Sequence, residues 1–195
     1  MTKLNRYLFK LSITATLTAL SIALNLISIK IGNSMKITLY GLPLIIVGLF
    51  CGPVWGSVGG MVTALINDIF GYGISLSTIW WALAPIMWGL VPGLFRKLYF
   101  EYRNIFLAIV VVISAAFMAY MANNLAFFLD LKLFGYDYGD LAMINLLFRL
   151  LSLIISSALF STLLFFISKP LYTLYGKYLC DKEYEEDVIE ENNEY

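Results

Sequence analysis

The chain has 195 residues, of which 61% are hydrophobic and only 13% charged, whereas a water-soluble domain is usually about 25% charged; a soluble fold is therefore excluded and an integral membrane protein is indicated. The formal net charge of zero at pH 7 leaves no dominant basic surface for nucleic acid. Histidine is absent, which excludes Ser-His-Asp and Cys-His catalysis, His-ligated metal sites and proton relays through imidazole.

Six apolar segments follow one another along the chain and predict an all-α membrane protein, a six-transmembrane-helix bundle. They cover roughly residues 11–29, 38–51, 54–71, 77–95, 105–128 and 141–168. A spanning helix needs about 20 apolar residues, and four or five of the segments meet this length. The predicted organisation is a cytoplasmic N-terminus at residues 1–10, a membrane domain at 11–175 and a cytoplasmic tail at 176–195.

The second and third segments are separated by a clear break. The second is short and contains Pro43, and Cys51, Gly52 and Pro53 stand between it and the third. We interpret the two as short, closely packed helices joined by a tight turn, because proline and glycine interrupt helices. One long kinked helix, which would reverse the orientation of every later segment, stays open as the alternative.

The positions of lysine and arginine predict the orientation, because cytoplasmic loops retain basic residues. With six spans and both termini inside, the cytoplasmic side carries Lys3, Arg6, Lys10, Arg96, Lys97, Arg103, Lys169, Lys177 and Lys182. The outer side carries only Lys30, Lys36 and Lys132. The prediction is a multi-pass membrane protein with cytoplasmic N- and C-termini.

The last 15 residues are strongly acidic and differ from the membrane segments. They carry eight of the 13 acidic residues, namely Asp181, Glu183, Glu185, Glu186, Asp187, Glu190, Glu191 and Glu194. Such charge runs are usually solvated and disordered. We therefore predict a disordered cytoplasmic tail, with a role in partner binding as the alternative.

Motifs for enzyme chemistry are missing from the sequence. It has no paired-carboxylate motif on one helix, no phosphate-binding Gly-Lys-Ser/Thr loop and no cluster of metal-ligating residues. We therefore predict neither an enzyme nor a cofactor or metal site, and ATP hydrolysis by this chain is excluded. The two cysteines, Cys51 and Cys180, are expected to be free thiols on the cytoplasmic side.

Small residues form a stripe on the first segment. Ala15, Ala19 and Ala23 are spaced four residues apart and share one face of the predicted helix. In lipid the close approach of backbones supplies the contact energy between helices, so the stripe predicts a groove for a helix of another subunit. Packing inside the bundle is the alternative, and it is the preferred interpretation of the Gly56-x-x-x-Gly60 pattern in the third segment.

Two ionisable residues lie within apolar segments, Asp68 near the end of the third and Arg149 in the sixth. Each costs about 2.5–3.5 kcal/mol at bilayer depth on insertion scales, so both should face the interior of the bundle, in its outer half. An Asp68–Arg149 ion pair is one interpretation. The other is that Arg149 binds a carboxylate or a polar ring edge of a ligand through its fork of donors.

Aromatic and amide side chains are concentrated around the predicted outer loops. The loop between the third and fourth segments is followed by Trp80 and Trp81, the fifth segment ends with Asn123 and Asn124, and Asp130 and Tyr136 follow it. The candidates chosen for ligand contacts are Asn67, Tyr72, Trp80, Asn124 and Tyr136. Flat aromatic faces with a few amides suit a planar heterocycle. The alternative is an aromatic belt at the membrane interface, which many membrane proteins have.

Several stretches of the chain resemble one family. They are Ala15 to Asn25, Leu42-Pro43, Gly52-Pro53-Val54-Trp55-Gly56, Gly59 to Asp68, Asn124 to Asp130, Lys132 to Tyr136 and Asn145 to Arg149. In them the chain resembles the substrate-binding S components of energy-coupling factor (ECF) vitamin transporters, and among these the folate-type group. The resemblance covers most of residues 11–170, and the spacing from Pro43 to Gly52-Pro53-x-Trp55-Gly56 is its most specific part.

The resemblance implies a six-helix bundle in a bacterial plasma membrane, with one vitamin pocket near the outer surface, capped by loops. It implies that the alanine stripe docks on a membrane coupling (T) subunit, which sits on two cytoplasmic ABC ATPases. ATP turnover would then topple the S component and release the vitamin inside. Together with the features above, the expected substrate-binding residues are Asn67, Asp68, Tyr72, Trp80, Asn124, Tyr136 and Arg149.

Two departures from the folate-type pattern leave the vitamin open. Tyr72 to Ser77 stands where that group has a Pro-rich, Phe-containing stretch, and Asn145 to Phe148 lacks the proline expected before Arg149. Folate is the expected substrate, with pantothenate, riboflavin and thiamine as alternatives. A function of another class, a non-transport polytopic membrane scaffold such as a cell-shape protein, is the further alternative.

Overall fold

Helices make up nearly all of the part of the chain that the structure, a computed structural model, describes: residues 3–31, 35–71, 73–102, 104–135 and 141–178. They are α1 (Lys3–Leu26), α2 (Gly41–Cys51), α3 (Pro53–Gly71), α4 (Thr78–Trp81), α5 (Leu83–Leu94), α6 (Arg96–Tyr102), α7 (Ile105–Phe134) and α8 (Leu141–Tyr178). A short antiparallel hairpin of β1 (Ile29–Ile31) and β2 (Met35–Ile37) stands between α1 and α2, where no regular element was predicted. The predicted tail begins at residue 176, but α8 continues to Tyr178, and residues 179–195 lie outside the described residues.

Three helices of the described residues are long and apolar enough to cross a membrane, within Leu4–Leu26, Ile105–Phe134 and Leu146–Gly176. A fourth span is added if Thr78–Leu94 and Arg96–Tyr102, which meet at a bend of 46°, are counted as one. The all-α, membrane-embedded character predicted from the composition is therefore confirmed. Six spans stay a prediction, because α2 has 11 residues and reaches only about 16 Å, roughly half of the hydrocarbon core.

The α2 and α3 helices form a tight hairpin. Gly52 joins them with a φ of 101°, a positive value that favours glycine, and its N–H donates to the Gly48 carbonyl. A Cβ built on Gly56 would lie 3.0 Å from the Gly48 Cα, whereas residues eight apart in a continuous helix are separated by about 12 Å. The interpretation as two closely packed helices is therefore confirmed, and one long kinked helix is excluded.

Glycines bring the backbones of α2, α3 and α5 into contact at the centre of the bundle. A Cβ on Gly48 or Gly56 would overlap the Gly89 carbonyl of α5, and one on Gly60 would lie 2.7 Å from the Ile86 Cα. The Gly56-x-x-x-Gly60 pattern thus packs inside the bundle, as predicted. The close approach also makes α2 the central element, whose fully buried side chains include Leu44, Ile45, Val47 and Leu49.

Candidate ligand-binding cavity

One end of the bundle encloses a cavity of about 720 Å³. Six helices line it, each with one of its ends. The C-terminal parts of α1, α3 and α7 meet the N-terminal parts of α2, α5 and α8 there. The α4 helix and the loop before it complete the wall. The volume lies within the range of small-molecule sites, about 300–1,000 Å³. The polar lining includes Asn25, Tyr40, Asn67, Asp68, Tyr120, Asn123, Asp130, Arg149, Ser152 and Ser156.

The deep end of the cavity is aromatic. Trp88 of α5 and Phe160 of α8 are both buried and meet edge to face, with their ring centroids 5.2 Å apart. Gly41 at the start of α2 faces them, because a Cβ there would lie 2.9 Å from each of the two rings. Glycine at this position leaves space for the two rings, and the floor offers a ligand the face of one ring and the edge of another.

Arg149, on α8, lies at the wall of the cavity and is half-buried. Its Nη1 donates to the Asn123 carbonyl of α7 at 3.0 Å. The guanidinium carbon lies 4.6 Å from the centre of the Phe127 ring and 5.5 Å from the centre of the Trp81 ring. Cation–π contacts of this kind attract the charge to the ring faces, so Arg149 is held between α7 and α4.

Asp130, on α7, ties α4 to the rest of the bundle. Its Oδ1 accepts the indole N–H of Trp80 and its Oδ2 accepts that of Trp81, each at 2.7 Å. Hydrogen bonds to an ionised carboxylate are roughly twice as strong as neutral ones. The loop before α4 is hydrogen-bonded as well, since the Ser75 N–H donates to Thr78 Oγ1 at 3.2 Å. These contacts fix α4 as one side of the cavity.

Asn67 and Asp68, at the end of α3, both line the cavity as predicted. The Asn67 Oδ1 is buried and has no hydrogen-bond partner among the described residues. An unsatisfied buried acceptor costs about 1–3 kcal/mol, which a donor on a bound ligand would recover. The Asp68–Arg149 ion pair considered from the sequence is not among the contacts of the described residues, although the two side chains line the same cavity.

Two other predicted contacts, Trp80 and Asn124, are not among the residues that line the cavity, and their neighbours Trp81 and Asn123 take their places. One step along a helix turns the side chain by about 100°, so a candidate that is one residue off points in a different direction. The two remaining candidates are Tyr72 and Tyr136, and both lie outside the described residues.

Several lining residues on α7 and α8 were not predicted from the sequence. On α8 they follow Arg149 on the same face, as Ser152, Ser156 and Phe160. The helical period of 3.6 residues was the available signal, because positions three, seven and eleven residues after an inward-facing arginine face inward too. On α7 the corresponding set is Ala116, Ala119 and Tyr120.

The alanine stripe lies on the outer surface of the bundle. Ala15, Ala19 and Ala23 are exposed, whereas the opposite face of α1 is buried. On that inner face the Thr18 Oγ1 lies 2.8 Å from a Cβ built on Gly59. The stripe therefore does not pack inside the bundle, and that alternative is excluded.

Comparison with protein-family models and with curated proteins gave no match to this chain. The family resemblance therefore rests on the motifs that carry it, and the cavity is interpreted from its own chemistry. A guanidinium, two carboxylates, amides and aromatic rings surround the space. Such a set suits a small polar molecule that has a flat apolar part.

Proposed function

We propose that the protein is the substrate-binding (S) subunit of an ECF-type importer, which captures a vitamin outside the cell and delivers it inward by docking on a coupling subunit. Folate or a related planar vitamin is the proposed substrate. The observation that carries this proposal is the cavity with an aromatic floor and a polar wall, at the end of the bundle that is poor in basic residues.

In the proposed orientation the cavity faces the outside of the cell. The helix ends that line it alternate along the chain, as they would in the proposed six crossings with α2 and α3 as short spans. More basic residues of the described part lie toward the opposite end, among them Arg6, Lys10, Arg96, Lys97 and Lys169, than at the cavity end, which has Lys30, Lys36, Lys132 and Arg149. The Cys51 Sγ contacts the Lys10 carbonyl at 3.8 Å, so α1 begins where α2 ends. Because cytoplasmic ends retain basic residues, both termini are proposed to lie in the cytoplasm of a bacterial cell.

The proposed ligand pose follows from the chemistry of the cavity. A planar ring system would lie against Trp88 and Phe160, whose faces and edges suit stacked or edge-to-face contact. A carboxylate or a polar ring edge would meet Arg149, whose planar guanidinium suits such groups. A ring N–H donor would satisfy the Asn67 Oδ1. Pantothenate, riboflavin and thiamine are the alternative ligands.

The proposed partner is a membrane coupling subunit that carries two cytoplasmic ABC ATPases. The exposed stripe of Ala15, Ala19 and Ala23 gives α1 a flat face on which another helix can approach closely, and such approach drives association in lipid. The sequence has no phosphate-binding loop, so the energy for transport would come from that partner.

A ligand screen tests the substrate proposal. The purified full-length chain in detergent is exposed in turn to folic acid, pantothenate, riboflavin and thiamine, and bound mass is read by native mass spectrometry. We expect one folic acid molecule per chain. If none of the four binds, the proposed substrate and its three alternatives are wrong, and co-purification with cell-wall enzymes would then favour the membrane scaffold.

A pair of variants tests the docking proposal. Ala19→Trp places a bulky side chain on the stripe and should abolish vitamin uptake by cells while leaving binding to the purified chain intact. Ala158→Trp is the matched control, because Ala158 is an exposed alanine of α8 outside the stripe, and its uptake should stay at the wild-type level. Unchanged uptake by the Ala19 variant would refute the docking role.

A further inference from the structure

Asp130 has no role in the function proposed above, although it lines the cavity. Both of its carboxylate oxygens accept indole N–H groups, from Trp80 and from Trp81, at 2.7 Å. The two tryptophans belong to a helix of four residues, and Asp130 lies 49 and 50 positions further along the chain. One side chain of α7 thus joins α4 to α7 through two hydrogen bonds, in addition to the backbone that continues from α4 through Ala82 into α5.

The two tryptophans differ in their contacts with the cavity and with Arg149. Trp81 lines the cavity and lies under the Arg149 guanidinium, whereas Trp80 does not line the cavity. A ring that donates its N–H to an anion becomes richer in electrons, so its face attracts a cation more strongly. Asp130 therefore contacts the Trp81 ring, and that ring contacts Arg149.

We propose that Asp130 is a positioning residue of the cavity: it fixes the Trp81 ring, and through that ring it fixes the Arg149 guanidinium at the cavity wall. The consequence for a ligand rests on the proposed function, since it requires that Arg149 binds the substrate. The positioning itself does not depend on the identity of any ligand, so the two can be tested separately.

The positioning is tested by NMR on the full-length chain in micelles, labelled with ¹⁵N-tryptophan and ¹⁵N-arginine. In Asp130→Asn, one amide oxygen replaces two carboxylate oxygens, so at least one indole N–H loses its acceptor. We expect the indole signals of Trp80 and Trp81 to move toward the position of unbonded indole, and the Arg149 Nε–H signal to lose part of its ring-current shift. The signals of Trp55 and Trp88 should stay in place and serve as the internal control.

Two further variants distinguish loss of positioning from a general loss of structure. They also test the proposal if Asp130→Asn does not fold. Trp81→Phe removes the ring that donates to Asp130 and should displace the Arg149 signal as Asp130→Asn does. Trp80→Phe removes the other hydrogen bond and should leave the Arg149 signal near its wild-type position. If both variants moved Arg149 alike, or if the indole signals of Asp130→Asn were those of the wild type, the proposal would be wrong.

Binding of folic acid, titrated by calorimetry, provides the second readout. We expect Asp130→Asn and Trp81→Phe to weaken binding by about tenfold, the size of one lost hydrogen bond to a charged group, and Trp80→Phe to bind like the wild type. Equal binding by all variants would refute the effect of positioning on the ligand. A wild-type chain that binds no folic acid counts against the proposed substrate, and the NMR signals still decide whether Asp130 positions Arg149.

Discussion

Arg149 illustrates how a charge is kept inside an apolar segment. On insertion scales an arginine at the centre of a membrane helix costs about 2.5–3.5 kcal/mol. Here the guanidinium donates to the Asn123 carbonyl and lies against the rings of Phe127 and Trp81, which offset part of that cost. A charge retained at the wall of a cavity in this way is typical of a functional residue.

Replacing Arg149 tests its role at the scale of one residue. Arg149→Ala removes the guanidinium, and we expect the affinity for folic acid, measured by calorimetry, to fall about 10- to 100-fold, as for the loss of a charge-assisted hydrogen bond. Arg149→Lys should restore little of it, because an ammonium lacks the planar fork of donors. Phe128→Leu is the control, since Phe128 is 59% exposed. An Arg149→Ala affinity equal to that of the control would contradict the assignment.

At the scale of elements, the bundle depends on backbone contact between the α2–α3 hairpin and α5. Gly89 is central to it, because a Cβ there would overlap the backbone of Gly56. Association of helices in lipid relies on such close packing, since lipid provides no hydrophobic drive for it. The same contact sets how far α5 stands from α2, and therefore where Trp88 meets Gly41 at the cavity floor.

Gly89→Ala should destabilise the fold, because the added methyl group has no space between the two backbones. Overpacking costs about 1–3 kcal/mol, and in a chain of this length each kcal/mol lowers the midpoint of thermal unfolding by about 2–4 °C. The measurement is the unfolding midpoint in detergent. Gly176→Ala, where no atom lies within 4 Å of the added Cβ, should leave the midpoint unchanged or raise it, because alanine favours helix. Equal midpoints for the two variants would argue against the contact.

At the scale of the whole molecule, most of the basic residues and the cavity lie at opposite ends of the bundle. The cavity draws on one end of each of six helices, while Arg96 and Lys97 lie where α5 ends and α6 begins. The substrate-binding subunit of an importer needs its binding site on the outer side of the membrane. Its basic residues should lie on the cytoplasmic side. The proposed orientation meets both requirements at once.

Labelling of single cysteines in intact cells tests that orientation, in a chain whose Cys180 is replaced by serine. The native Cys51 is buried and should react slowly. A membrane-impermeant maleimide should modify Ser75→Cys, in the exposed loop at the cavity, without permeabilisation. Lys97→Cys, equally exposed at the opposite end, should react only after the membrane is opened. The reverse pattern would place the cavity in the cytoplasm.

The candidate site was predictable in part. Asp68 and Arg149 stood out because charges are rare in apolar segments, and both line the cavity. The choice between Trp80 and Trp81 was not predictable, because adjacent tryptophans look alike in the sequence and only their rotation about α4 differs. The acceptor that holds them, Asp130, is about fifty positions away, and no local pattern connects residues at that separation.

The membrane character, the helical composition, the break between α2 and α3 and the small-residue faces followed from the sequence by itself, because hydrophobicity and backbone preference act within each segment. The tertiary structure alone decided that the alanine stripe faces outward while the glycines of α3 face α5, and that Trp81 rather than Trp80 meets the cavity. Those outcomes depend on how each helix is rotated against its neighbours, and this rotation is set by packing between distant segments.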